Sequence, residues 1–143
     1  MAEKLFVYGT LMFPEIRSVL VRREFDTFSA DLQGYRRLAI FLAGRAPVPG
    51  IVADEKASVS GLVLRGVDRK SLTLFDTFEG VSSGLYSRER VMVKDGQGRV
   101  VEVFAYLSGA AVRGMLKGDW DPETFRKQHL VVYRRQIIAA WRE

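Results

Sequence analysis

Apolar residues in this chain come in short runs, and half of the runs abut a glycine. Leu5–Tyr8, Thr27–Leu32, Tyr35–Phe41, Val59–Val67, Leu85–Val93 and Val100–Leu107 are such runs. Strands are completed by a handful of residues, whereas a helix wants about ten or more, so this punctuation predicts a strand-rich fold. Asp95-Gly96-Gln97-Gly98, between the last two runs, is a hairpin signal. Gly34, between the second and third, reads as a tight turn joining a pair of strands. Pro47, Pro49 and Gly50 read as a break in the chain.

Three helices are expected among these strands. Pro14 suits a first helical position, and Ile16, Val19 and Leu20 share a face, which predicts a short helix ending near Val21. Asp68 stands where a cap would, ahead of Leu72, Phe75 and Phe78 at helical spacing, with Gly80 to close the helix. A last helix is expected from the cap Asp121 and Pro122 onward, with Leu130, Tyr133, Ile137 and Trp141 as its apolar stripe. The sum is an α+β domain, a small closed or half-closed β-barrel with flanking helices. At 143 residues, without a repeat or a Pro/Ser-rich linker, residues 1–143 are expected to form a single domain.

Composition excludes several chemistries. The chain has no cysteine, which removes disulfides, thiolate nucleophiles and cysteine-ligated metals. Its one histidine, His129, falls within the expected last helix in register with Phe125 and Val132, where packing or surface is the ordinary role of such a residue. A hydrolytic triad is therefore unsupported, and neither a metal nor an organic cofactor is expected. The net charge is +5, but the arginines are dispersed among acidic residues, so a solvated surface is favoured over a nucleic-acid stripe. Met1 to Gly9 does not read as a signal peptide, and no apolar stretch approaches the roughly 18 residues of a membrane helix. A cytoplasmic location without membrane or nucleic-acid partners is the expectation.

Two segments carry candidate chemistry. In Tyr8-Gly9-Thr10-Leu11 a strand ends in a glycine turn shortly before a helix, so successive backbone N–H groups can converge on an anion. In Phe75-Asp76-Thr77-Phe78-Glu79-Gly80, Glu79 sits at a helix C-terminus, where the dipole disfavours an anion. The two phenylalanines can limit water there, and both effects raise a carboxyl pKa toward the range of a general base. By composition alone, a plain strand-to-helix turn is the better reading of the first segment, and a solvated helix end accounts for the second at least as well.

Together the two segments resemble the γ-glutamylcyclotransferase-like superfamily, including its AIG2-like branch. The resemblance runs through LFVYGTLM at 5–12, GYRRLAI at 34–40, Pro49-Gly50, VSGLVLRGVD at 59–68, LFDTFEGVSSGLYSRERVMV at 74–93 and GDWDPETFRKQHL at 118–130. It implies a small mixed barrel with helices outside and a cavity lined by the loop after the first strand. It further implies cyclisation of a γ-glutamyl amine or γ-glutamyl amino acid to 5-oxoproline, with release of the amine and without a cofactor. By position Glu79 would be the catalytic acid/base. Tyr8, Gly9, Thr10 and Leu11 would hold the glutamyl α-carboxylate or reacting carbonyl through their backbone, and Tyr86 would line the pocket. Thr10 and Leu11 stand where some members carry serine and asparagine, which puts the chain in a YGTL branch of diverse function.

Two other classes are open at this point. One is a non-catalytic relative that keeps the cavity for small-molecule binding. The other is a basic interaction module using Arg126, Lys127, Arg134, Arg135 and Arg142.

Overall fold

In the computed structural model, which describes residues 2–41 and 45–141, side-chain alternation along β1 (Glu3–Val7) divides the apolar residues between two cores. Phe6 and Tyr8 point into a barrel interior with Leu32, Val59, Val63, Val93 and Val103. Leu5 and Val7 point outward, into a second core beneath the helices that includes Leu64, Val67, Phe75 and Phe125.

The barrel is closed by five strands. β1 lies between β3 (Val48–Val67), to which it is antiparallel, and β5 (Val100–Ser108), to which it is parallel. β5 pairs with β4 (Tyr86–Asp95), β4 with β2 (Thr27–Ile40), and β2 returns to β3, completing the ring. A short β6 (Leu116–Asp119) is added to the far edge of β2. Four α-helices flank the barrel: α1 (Pro14–Leu20), α2 (Arg69–Glu79), α3 (Pro122–Gln128) and α4 (Leu130–Ala140). This is the expected α+β mixed barrel with flanking helices.

Three local expectations are corrected. Gly34 is not a turn between two strands: β2 runs unbroken through it, and its φ of +87° marks an irregularity in the register opposite β3. A glycine in an apolar run signals a turn or a bulge equally, and here the long β2–β3 pairing decided for the bulge. Likewise Pro49 and Gly50 do not break the chain but lie near the start of β3, Pro49 facing Ala39. Proline is tolerated at the first positions of a strand, where little hydrogen bonding is lost.

The expected last helix is two helices, interrupted at His129 (φ −127°, ψ −23°). In one straight helix Phe125 and Tyr133 would lie about 12 Å apart along the axis. The interruption folds them together, with ring centroids 5.3 Å apart in an edge-on contact, and buries both. Across it the expected register fails: His129 stacks on Phe125, but Val132 is exposed. β6 had no signal of its own, being four residues of mixed polarity.

Candidate active site

Two local structures meet at one cavity. The first is the exit from β1. Gly9 packs so closely on Pro49 that a Cβ there would sit 2.4 Å from the proline Cγ, so only glycine fits. The chain then makes a 3₁₀ turn over Thr10–Met12, closed by Met12 N–H donating to the Gly9 carbonyl (2.9 Å). Two arginines hold the loop's carbonyls. Arg37 donates to the Tyr8 oxygen at 2.8 Å, and Arg17 donates to those of Leu11 and Met12 at 2.9 and 3.0 Å. As the first residues of a helical turn, Thr10 and Leu11 have amides without partners inside it.

The second structure is the end of α2. Asp68 stands at the N-cap position, its carboxylate accepting from the Ser71 hydroxyl (2.5 Å) and Arg23 (2.9 Å) rather than from a helix amide. Gly80, in the left-handed conformation with φ +68°, ends it as expected. The last turn therefore presents Asp76 and Glu79, three residues apart, on neighbouring positions of one face. Asp76 is tied down: Arg88 Nε donates to it at 2.9 Å and the Tyr106 hydroxyl at 2.6 Å.

Between them lies a cavity of about 430 Å³. Tyr8, Gly9, Thr10, Leu11, Glu79 and Tyr86, the residues singled out from the sequence, all line it. Of the other aromatic residues expected around Glu79, Phe78 lines the cavity, but Phe75 does not; it is buried in the outer core against Phe25. The remaining wall was not anticipated. Tyr106 comes from the middle of β5, Tyr133, Gln136 and Trp141 from α4 and its end, and Arg45 and Pro49 from the β2–β3 connection and early β3. Tyr133 and Trp141 belong to a stripe that reads only as core from the sequence, and no spacing pattern brings Tyr106 to Glu79.

Electrostatics single out Glu79. The protein encloses its carboxyl, and the nearby charge of Asp76 adds repulsion, so its pKa is pushed up to about 8. Burial is the larger cause. Four tyrosines surround it, and each phenol is pushed above its ordinary value, first by burial and further by the Glu79 charge, which for Tyr106 comes after its hydrogen bond to Asp76 and the Asp76 charge. Tyr8 donates its hydroxyl hydrogen to the Tyr106 carbonyl, and Tyr86 donates to the Pro49 carbonyl at 2.5 Å. Arg45 and Glu79 are the two ionisable side chains of opposite charge among the described lining residues.

Elsewhere, the described residues contain no cluster of three or more metal-ligating side chains, and no helix long and apolar enough to cross a membrane. On α3 and α4, Arg126 pairs with Glu123 and Arg134 donates to the Glu15 carbonyl (3.3 Å), while Arg135 is exposed. Arg142, counted with them from the sequence, lies outside the described residues.

Comparison with known proteins gives concordant results. Residues 5–122 match the family model described as gamma-glutamyl cyclotransferase, AIG2-like. The chain is 32% identical to protein AIG2 C of Arabidopsis thaliana over 142 residues, covering 99% of this chain and 81% of that protein. It is 37% identical to AIG2-like protein C of the same plant, covering 88% of this chain and 70% of the relative. A solution structure of an Arabidopsis thaliana protein superposes with a TM-score of 0.68 at 31% identity, covering 99% and 81% of the two chains. A structure described as a gamma-glutamyl cyclotransferase superposes with a TM-score of 0.70 at 18% identity, covering 97% and 88%, which is a likeness of fold.

Proposed function

On the premise that the chain belongs to the γ-glutamyl cyclotransferase, AIG2-like family, we propose that it cyclises a γ-glutamyl amine or γ-glutamyl amino acid to 5-oxoproline and releases the amine. The observation that carries this reading is Glu79, a carboxyl with pKa raised to about 8, facing the Thr10–Leu11 loop in one cavity.

No protein nucleophile is needed, because the substrate supplies one. Its α-ammonium comes beside Glu79, which accepts a proton and frees the amine. The amine nitrogen attacks the γ-carbonyl carbon, forming the fifth ring bond. Holding both groups in one molecule gives this attack a high effective concentration. The carbonyl oxygen becomes an oxyanion next to the amides of Thr10 and Leu11, which are pre-aimed donors worth about 3 kcal/mol each in such settings. Glu79 then gives its proton to the leaving nitrogen, the old amide bond breaks as the carbonyl re-forms, and the surplus proton of the ring nitrogen passes through the Glu79 carboxylate to the released amine. Atoms balance without water: one γ-glutamyl amide gives one 5-oxoproline and one amine.

The raised pKa suits this double duty. Raising the carboxyl to about 8 brings it much closer to the substrate ammonium, so proton transfer between the two costs far less than with an ordinary glutamate. An ordinary surface glutamate, about 3.5 units more acidic, would be too weak a base to take the ammonium proton readily. We further place the enzyme in the cytoplasm and treat residues 1–143 as one catalytic domain.

The test is a panel of γ-glutamyl amines and γ-glutamyl amino acids incubated with the purified protein, with products read by mass spectrometry. Equimolar 5-oxoproline and free amine is the expected result. Inertness toward the whole panel, or release of glutamate instead of 5-oxoproline, would contradict the proposal.

A further inference from the structure

The four tyrosines around Glu79 are not equivalent in what they offer the cavity. A phenol carries one hydrogen to donate and lone pairs to accept. Burial and the Glu79 charge hold Tyr8, Tyr86 and Tyr106 firmly in the protonated form, so each must place its hydrogen somewhere. Each places it on the protein: Tyr8 on the Tyr106 carbonyl, Tyr86 on the Pro49 carbonyl, and Tyr106 on the Asp76 carboxylate. Three hydroxyl oxygens within electrostatic reach of Glu79 are thereby left to the cavity as acceptors alone. Among the described residues, no side chain donates a hydrogen bond to Glu79 either. Once Glu79 has given up its proton, this wall is all acceptor and the carboxylate is its only charge.

An acceptor wall of this kind has one complementary ligand, a compact cation with several N–H donors. We propose that Tyr8, Tyr86 and Tyr106 form, with Glu79, a cage for the primary α-ammonium of the substrate. A primary ammonium has three donors to share among the carboxylate and the three phenol oxygens, and the ring faces add cation–π attraction. The cage makes these tyrosines positioning residues for the nucleophile. Their fixed outward donation stops them from satisfying Glu79 in the empty site, which keeps it basic enough to take the ammonium proton. The fourth tyrosine differs. Tyr133 also lines the cavity, but among the described residues its hydroxyl hydrogen goes to no protein acceptor, so it can donate to the carboxylate and carbonyl oxygens of the ligand.

That the ligand is a γ-glutamyl compound rests on the function proposed above; the ammonium cage does not. The experiment compares binding, by calorimetry, of a γ-glutamyl alkylamide with the same molecule lacking its α-amino group, to wild type and to Tyr86→Phe, Tyr8→Phe and Tyr133→Phe. Wild type is expected to favour the amine-bearing ligand. Losing one acceptor to a charged donor costs about tenfold in binding. Tyr86→Phe and Tyr8→Phe should show that loss for the amine-bearing ligand only, with the des-amino ligand unchanged. Tyr133→Phe should weaken both. If Tyr8→Phe fails to fold, Tyr86→Phe and Tyr106→Phe carry the test. Equal weakening of both ligands by Tyr86→Phe, or no preference for the amine in wild type, would overturn the cage. Selective ammonium binding without formation of 5-oxoproline would instead overturn the cyclotransferase reading and leave the cage standing.

Discussion

Replacing Glu79 with glutamine should make the protein more stable at neutral pH, by an amount set by the same environment that suits the residue for catalysis. The carboxyl has a pKa near 8 in the folded protein against 4.5 for an ordinary glutamate. Below pH 4.5 it is protonated in both states and contributes most favourably. As pH rises from 4.5 to 8, the unfolded chain releases the proton while the folded chain retains it, so stability falls by about 1.4 kcal/mol per pH unit. Above 8 both states are ionised and the loss is complete. Integrated to pH 5 the loss is about 1 kcal/mol and to pH 7 about 3 kcal/mol. Water in the cavity reduces the burial that drives the shift, so a difference of about 1 to 2 kcal/mol between the two pH values is expected in practice. Urea unfolding of wild type and Glu79→Gln at pH 5 and pH 7 measures it, because every other carboxyl cancels between the two proteins. The advantage of the glutamine variant should grow with pH. A constant difference, or one that shrinks, would refute the electrostatic argument whatever the residue does in catalysis.

Other outcomes follow from the same geometry. Asp76→Asn removes the negative charge beside Glu79 and should lower the Glu79 pKa; the acid limb of kcat/KM should then move to lower pH than in wild type, the ionisations of the substrate being common to both profiles. An acid limb that stays in place would show that Asp76 does not tune the site. Gly9→Ala drives a methyl group to within 2.4 Å of Pro49 Cγ. It should destabilise the fold by about 1–3 kcal/mol and displace the Thr10–Leu11 loop, seen as a lowered urea midpoint and lost turnover. His129→Gln should leave kcat unchanged, because His129 stacks on Phe125 and does not line the cavity; abolished turnover in a folded variant would contradict that.

How legible was this molecule in its sequence? Elements whose signals are local came through. The Asp95–Gly98 turn is held by Asp95 Oδ1, which accepts from the amides of Gln97 and Arg99 at 2.9 Å, and Gly80 ends α2 where expected. Elements decided by partners far along the chain did not. Whether Gly34 turns or bulges depends on how β2 pairs with β3, and the interruption at His129 depends on Phe125 and Tyr133 reaching the same core. The site divides along the same line. Glu79 and the Tyr8–Leu11 loop sit in short recognisable segments, whereas Tyr106 and Tyr133 are ordinary apolar-face residues until the fold brings β5 and α4 to one cavity. The environment argument for Glu79 was right in direction, with burial and Asp76 as its causes. Phe75 was the wrong shield, since it packs under α2, away from the cavity.

The most direct test of the account compares wild type with Glu79→Gln, both folded, on the best γ-glutamyl substrate of the panel. Glutamine keeps the shape of the side chain but cannot accept and return a proton. General acid–base catalysis is worth about 10² to 10⁴ in rate, so 5-oxoproline formation should fall by that factor or more while the des-amino ligand still binds. Turnover at the wild-type rate in the folded variant would contradict the assignment of Glu79 as the acid/base residue.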